Sequence, residues 1–202
     1  RGLWVADVAE NGGLSNLRDT GIGGDIRAVA ASGGHLVVLD QNDGLVRIKQ
    51  GEEGFFRSET LSLSGPSMGL KIVDDKALVS LGSKGVMVVD LSSEEFSVLW
   101  SLSPPGVVVA AALNGDALAV ATLSGLYLYD LRKDSPRVAG FAPSTWVMLD
   151  VIFVGDDLVI TDWRGIVRYQ VRLDGHVLTP DLPRDRYFAP GQDVFLRYRN
   201  PG

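Results

Sequence analysis

The chain has 202 residues, of which 46% are apolar and 22% are charged, and its formal net charge at pH 7 is −6. This apolar content is sufficient for a buried core, and the 19 Lys and Arg residues form no basic run of the kind that follows nucleic-acid phosphates. Because the sequence has no Cys and only two His, it excludes disulfides, thiolate metal sites, a Cys nucleophile and a multi-His metal cage.

No apolar run approaches the roughly 18 residues needed to cross a bilayer. No secretory signal is recognisable at the N-terminus. Since the chain begins with Arg1 rather than Met, we expect a processed or excised piece of a longer precursor.

A Gly-led apolar stretch recurs five times along the chain. It occurs as GLWVADV, GLVRIKQ, GVMVVDL, GLYLYDL and GIVRYQV, which begin at Gly2, Gly44, Gly85, Gly125 and Gly165. The successive starts are 42, 41, 40 and 40 residues apart. A period of about 40 residues is typical of propeller and solenoid repeats, so the chain is predicted to be a repeat protein.

Each of the last four Gly-led stretches follows two further apolar runs, which predict the first and second strands of a unit. The predicted first strands are 26–32, 69–74, 107–113 and 147–153, and the predicted second strands are 35–40, 77–82, 117–122 and 157–162. The Gly-led stretch is then the third strand, and a more polar segment after it predicts an exposed fourth strand. No stretch is long and periodic enough to predict a helix. Four short strands per 40 residues predict the blade of a β-propeller.

The two ends of the chain hold complementary parts of a unit. Gly2 begins a third strand with no first or second strand before it, whereas 193–198 is a second strand with no third strand after it. Aligning GQDVFLRY with GDDLVITD places Val194 at the position of Leu158 and gives a wrap-around interval of 39 residues, which matches the other four. An open fragment of a larger ring is the alternative to a closed ring.

We therefore predict an all-β, five-bladed β-propeller of four-stranded antiparallel blades, closed by pairing of the N- and C-terminal strands in one composite blade. The chain is predicted to be one domain. Its blades are expected at 1–24 plus 184–202, 25–65, 66–105, 106–145 and 146–183.

The blades resemble those of LVIVD-repeat propellers, in which a Gly-Leu-x-Val-x-Asp-Val strand follows a Tyr-Val-Ala-Asp strand. The resemblance is best in 109–131 and 148–171, and the Asp that begins the inner strand of that family is matched here only by Asp150. The segment 96–106 is also similar to the Trp-ended strand of quinoprotein-type propellers. The resemblance to LVIVD repeats implies a prokaryotic surface or secreted protein, and hence an extracytoplasmic location. It implies the fold much better than the chemistry.

The turns between second and third strands are expected to emerge at one end of the blades. Asp40, Asn42 and Asp43 offer carboxylate and amide oxygens for calcium, although an Asx turn explains them better and no metal site is predicted. Trp163 and Arg164 stand at the tip of another such turn, and both residue types are enriched at binding hot spots. An Arg stem that covers the indole is the structural alternative.

The connections into the next first strand are expected at the same end. Trp146, Tyr187 and Phe188 fall in these connections and form either an aromatic binding rim or a plug that packs between blades. The packing role is the favoured alternative of the two.

If the protein were a glycosidase, like some five-bladed propellers, it would need paired carboxylates near the central channel of the ring. The candidates are Asp25 and Asp150, on or just before predicted first strands, with Asp74 at the end of one. A structural Asp that accepts hydrogen bonds from turn amides is favoured for Asp150, so an enzyme is the less favoured reading.

The sequence thus predicts a non-catalytic interaction domain without a cofactor, which presents loops on one face to a protein partner. A carbohydrate-binding or glycoside-cleaving propeller is the alternative. The predicted binding residues are Trp163, Arg164, Trp146, Asp40, Asn42, Asp43, Tyr187 and Phe188.

Overall fold

A computed structural model describes residues 2–144, 146–163, 165–172 and 177–180. These residues form five antiparallel sheets, and the part of the chain that the structure describes contains no helix. The all-β fold class is therefore confirmed. The chain divides into two compact units, Arg1–Ser103 and Pro104–Gly202.

The first unit contains three sheets. The first has two strands, β1 (Gly2–Val8) and β2 (Leu14–Gly23). The second sheet contains β3 (Ile26–Ser32), β4 (His35–Asp40), β5 (Gly44–Gly51) and β6 (Gly54–Leu61). The third contains β7 (Gly69–Val73), β8 (Lys76–Ser80), β9 (Val86–Asp90) and β10 (Ser97–Leu102).

The second unit contains two four-stranded sheets. One is formed by β11 (Val108–Asn114), β12 (Ala117–Thr122), β13 (Gly125–Asp130) and β14 (Arg137–Pro143). The other is formed by β15 (Met148–Val154), β16 (Asp157–Asp162), β17 (Gly165–Arg172) and β18 (Val177–Pro180). In every four-stranded sheet the spatial order of the strands is the chain order, so each sheet is one meander.

Burial follows the composition of the strands. All six residues of β12, which has the sequence ALAVAT, are buried, as are the last four of β4. The fourth strands β6 and β10 contain no buried residue. The fourth strands β6 and β10 are therefore exposed as predicted, whereas β2 and β14 each bury one residue, Ile22 and Ala142. In the first strands β3 and β15, exposed residues such as Val29 and Ile152 leave one face of each strand uncovered.

The sheets of the first unit stack face to face, and the two faces of the second sheet pack into separate cores. Val38, Val46 and Ile48 pack with Leu3 and Ile22 of the first sheet. On the other face, the second sheet packs against the third in a cluster that contains Val37, Leu39, Leu45, Ala77, Val79, Leu81, Val89 and Leu91. In the second unit one cluster joins both sheets, from Ala110 and Leu126 to Val151 and Tyr169.

The strand pairings carry the same irregularity in several sheets. A register shift occurs near the start of the first strand in β3, β11 and β15, at Ile26/Ala28, Val108/Ala110 and Met148/Asp150. A bulge increases the local twist and bends the strand. Because the shifts recur at equivalent positions, the second, fourth and fifth sheets share this backbone geometry as well as the sequence repeat.

The predicted C-terminal half of the composite blade, 184–202, lies outside the described residues. Pairing of its strands with β1 stays a prediction, as does the single-domain organisation.

Candidate functional site

The turns between second and third strands are fixed by a side chain at the end of the second strand. In the second sheet, Asp40 Oδ1 accepts the backbone N–H groups of Asn42 and Asp43 at 2.8 and 3.1 Å. Thr122 Oγ1 accepts those of Ser124 and Gly125 at 3.3 and 3.2 Å. Asp40 and Thr122 are therefore turn caps at one repeat position.

Asp162 has the same role in the fifth sheet, where its Oδ1 accepts the N–H of Gly165 at 2.9 Å. This position thus carries a short oxygen-bearing side chain in three sheets. The tips of these turns are therefore fixed to the ends of the paired second and third strands.

Asp40 is turned into the protein. It is only 1% exposed, and its Oδ2 is buried without a hydrogen-bond partner among the described residues. Gly24 leaves the space for this oxygen, because a Cβ at that position would overlap it. Asp43 pairs with Arg57, and Asn42 is exposed. Within the described part of the chain, no group of three or more His, Asp or Glu side chains is placed to hold a metal ion.

An exposed apolar surface lies at the turn end of the sheets in the second unit. It comprises Leu123, Trp146, Val147 and Trp163, which are 43%, 38%, 41% and 69% exposed. We refer to these four residues as the apolar loop patch. Trp146 and Trp163 were predicted as binding residues, and both are exposed side chains at the end that the sequence predicts.

Backbone contacts connect the loops that carry the patch. The turn that holds Leu123 is tied to the connection before β15 by the Ser144 N–H, which donates to the carbonyl of Ser124 at 3.0 Å. Ser144 Oγ in turn accepts the N–H of Trp146 at 3.1 Å and donates to its carbonyl at 2.7 Å. At the other side, Met148 pairs with Asp162, so Val147 and Trp163 flank one pair of the β15–β16 ladder.

Sequence reasoning missed Leu123 and Val147. The sequence does mark Leu123, because it is an aliphatic residue at a turn position expected to be exposed. The equivalent residues of other sheets are Gln41, Ser83 and Trp163. Arg164, Tyr187 and Phe188 lie outside the described residues. The binding roles predicted for all eight residues stay predictions.

The carboxylates considered for catalysis make local contacts. Asp25 pairs with Arg27 at 3.1 Å, and Asp150 Oδ1 accepts the N–H of Val151 at 2.8 Å. Asp74 occupies a hairpin turn with a φ of 51°.

Three described carboxyl groups have shifted pKa values, and all three pKa values are lowered. Hydrogen bonds from Ser92 lower the pKa of Asp90, and the hydrogen bond from Lys49 lowers that of Glu94. The Arg132 side chain lowers the pKa of Asp130 to about 2. A general acid requires a raised pKa, which these three carboxyls do not have.

No protein-family model matches the sequence, and no curated protein matches it. Solved structures do. The computationally designed protein Ika4 is 13% identical with a TM-score of 0.62, over 75% of this chain and 94% of that one. The designed protein Ika8 is 12% identical with a TM-score of 0.59, over 72% of this chain and 45% of that one. The N-terminal domain of Nup159 is 14% identical with a TM-score of 0.54, over 79% of this chain and 48% of that one.

These solved structures are propellers. The fold is that of a β-propeller. The five sheets are its blades, as the 40-residue spacing predicts, and the predicted fold class is confirmed. The chain spans less than half the length of the Ika8 and Nup159 chains that it matches. In the described residues there is no helix of the length and apolarity that crossing a membrane requires.

Proposed function

We propose that this propeller is a non-catalytic interaction domain that binds a protein partner through the apolar loop patch. The observation that carries the proposal is the exposure of two Trp side chains on structured loops: Ser144 hydrogen-bonds the Trp146 backbone, and Asp162 caps the turn that carries Trp163. Large apolar side chains gathered at one exposed place mark interaction surfaces. Trp supplies much contact area at a small cost in conformational entropy.

The propeller neighbours support the same reading. Nup159, whose N-terminal domain is among the similar structures, is bound to Dbp5 in an S. cerevisiae assembly. That binding is a property of Nup159. For this chain, the similarity to Nup159 supports only the general proposal that the propeller binds a protein.

The proposal extends to family and location. The resemblance of 109–131 and 148–171 to LVIVD repeats supports a prokaryotic, extracytoplasmic protein, on the cell surface, in the periplasm or secreted. The test is protease accessibility of the protein in intact cells that express its natural gene. Digestion only after lysis would contradict a surface location, and recovery in the cytoplasmic fraction would contradict export.

The binding proposal is tested with the full chain as bait on extracts of the source organism. Partners retained by the wild type are compared with those retained by Trp163→Ala and by Phe56→Ala. Phe56 is a suitable control because it is an aromatic residue, 48% exposed, that lies on the edge strand β6 rather than in a turn and is not part of the patch.

We expect Trp163→Ala to lose the partner and Phe56→Ala to keep it, with unchanged circular dichroism for both. Equal retention by all three proteins would contradict the proposal. A bound glycan on an array, with no protein partner, would favour the carbohydrate-binding alternative instead.

A further inference from the structure

A cavity of about 390 Å³ lies entirely within the first unit. It is at the opposite end of the strands from the Asp40 turn, since its walls include the β3–β4 hairpin and the segment that connects β9 to β10. Its volume is near the lower bound of small-molecule sites, which run from roughly 300 to 1,000 Å³. The lining residues are Ser32, Gly33, His35, Val37, Arg47, Asp75, Leu91, Ser92, Ser93 and Glu94.

The floor of the cavity holds a buried cation. Arg47 is 3% exposed and makes no ion pair with any described residue. Its Nη1 donates to the carbonyls of Ser93 and Glu94, and its Nη2 donates to the carbonyl of Leu91 at 2.9 Å. A guanidinium has five N–H groups, so two have no hydrogen-bond acceptor among the described residues. All three acceptors are neutral, and the positive charge is therefore not cancelled by direct contact.

The mouth of the cavity has the opposite charge. Asp75 is exposed there and forms no ion pair with the described side chains. The backbone carbonyl of Asp75 accepts the N–H of Leu91 at 2.8 Å. Because Arg47 donates to the carbonyl of Leu91, this bond keeps the β7–β8 hairpin close to Arg47. Glu94 lies at the mouth as well, paired with Lys49. Serine hydroxyls and the His35 imidazole complete a polar lining.

We propose that this cavity binds a free α-amino acid. A cation at the floor and an unpaired carboxylate at the mouth match a small zwitterion, with its carboxylate on Arg47 and its ammonium group on Asp75. A carboxylate is the natural partner of a guanidinium. An anion alone would be repelled by Asp75, and a cation alone would be repelled by Arg47. This site is separate from the apolar loop patch, and the inference does not depend on the proposed function.

The first test changes the ligand and leaves the protein intact. Binding of L-alanine, L-serine and L-glutamine to the full chain is measured by calorimetry or ligand-observed NMR, with glucose as a neutral polyol. We expect at least one amino acid to bind and glucose not to bind. The N-acetyl derivative and the carboxamide of that amino acid are each expected to bind on the order of tenfold more weakly, since each loses one charged hydrogen-bonded contact.

The second test uses a pair of matched variants. Asp75→Asn removes the charge at the mouth, whereas Asp156→Asn makes the same change at the equivalent hairpin position of the fifth sheet, which does not line the cavity. We expect about tenfold weaker binding for Asp75→Asn and no more than about a twofold change for Asp156→Asn. The proposal is overturned if no amino acid binds at millimolar concentration, if the blocked derivatives bind equally well, or if the two variants behave alike.

Discussion

In four of the five Gly-led stretches, the leading glycine is required by the strand beside it. A Cβ at Gly2 would lie 2.9 Å from the carbonyl oxygen of Ile22 in β2, and one at Gly125 would lie 2.6 Å from that of Ala142 in β14. The nearest atom at Gly44 and Gly85 is likewise a carbonyl oxygen of the fourth strand, closer than any Cβ is found in real proteins. The repeat therefore preserves a close backbone approach, and the turn conformation is a secondary reason.

Gly85→Ala tests this explanation. Gly85 has a φ of 96°, and a Cβ there would overlap the carbonyl oxygen of Leu102. Gly33 has a φ of 56°, and a Cβ there would meet no atom within 4 Å. We expect Gly33→Ala to lower the free energy of unfolding by about 1–2 kcal/mol from the left-handed conformation alone. Gly85→Ala should cost about 1–3 kcal/mol more, because a backbone carbonyl cannot move aside. Urea unfolding followed by Trp fluorescence measures both, and equal losses would contradict the steric explanation.

Asp130 is expected to titrate well below an ordinary carboxyl. The Arg132 side chain, followed by the Arg132 backbone N–H, lowers its pKa to about 2. A lowered pKa means that the folded state prefers the ionised carboxyl, so the associated stability is present above the unfolded pKa of about 4. That stability is lost as the pH falls from about 4 towards 2.

The measurement is an NMR titration of the Asp130 side chain. Arg132→Gln should raise the Asp130 pKa towards that of an ordinary Asp, since it removes the Arg132 hydrogen bond that lowers it most. Lys133→Gln is the control, because Lys133 acts on Asp130 only through a weaker charge–charge attraction and its loss should change the pKa little. A larger shift in Lys133→Gln than in Arg132→Gln would show that the hydrogen bond is not responsible.

At the scale of elements, the strands were predictable because each is a short apolar run between turn residues. The predicted second strands at 35–40, 117–122 and 157–162 coincide with β4, β12 and β16. The turn-capping role of Asp40 was also predictable, since an Asp at the end of a strand accepts turn amides.

The burial of Arg47 could not be predicted. It occupies the same place in the repeat as Val88, Leu128 and Arg168, and the pattern alone does not distinguish the buried Arg from the exposed one. Arg168 pairs with Asp157 in its own sheet and remains exposed. Arg47 is buried by contacts with residues 91–96 of the next sheet, which no local pattern specifies.

Arg47 joins two neighbouring blades of the first unit. Its guanidinium donates to three carbonyls of the segment after β9 and lies 4.7 Å above the centre of the Phe96 ring. Arg47→Met should lower the free energy of unfolding by about 2–4 kcal/mol, because it leaves three carbonyls without their donor. Lys49→Met, on the same strand, removes only the exposed pair with Glu94 and should cost less than about 1 kcal/mol. Urea unfolding measures both variants, and a cost for Arg47→Met as small as that for Lys49→Met would refute the joining role.

At the scale of the whole molecule, the repeat predicts how the first sheet is completed. Every four-stranded sheet pairs its third strand with a second strand, whereas the described part of the first sheet has only the third and fourth strands, β1 and β2. The sequence predicts the missing partner at 193–198. Leu158 pairs with Tyr169 in the fifth sheet, so the alignment of Val194 with Leu158 predicts that Val194 pairs with Ala6 of β1.

A disulfide between these positions tests the prediction without interference, because the chain has no native Cys. Directly opposed residues of an antiparallel pair have Cβ atoms about 4.5–5.5 Å apart, close enough for a disulfide after a small adjustment. The double variant Ala6→Cys with Val194→Cys should therefore oxidise to an intramolecular disulfide, seen as faster migration on a non-reducing gel and a mass lower by two hydrogens. In the control, Ala6→Cys with Phe195→Cys, the second thiol points to the other face of the strand, and no such bond should form. Equal oxidation of the two pairs would contradict the predicted register, and cross-linked dimers in place of the intramolecular bond would indicate an open rather than a closed arrangement.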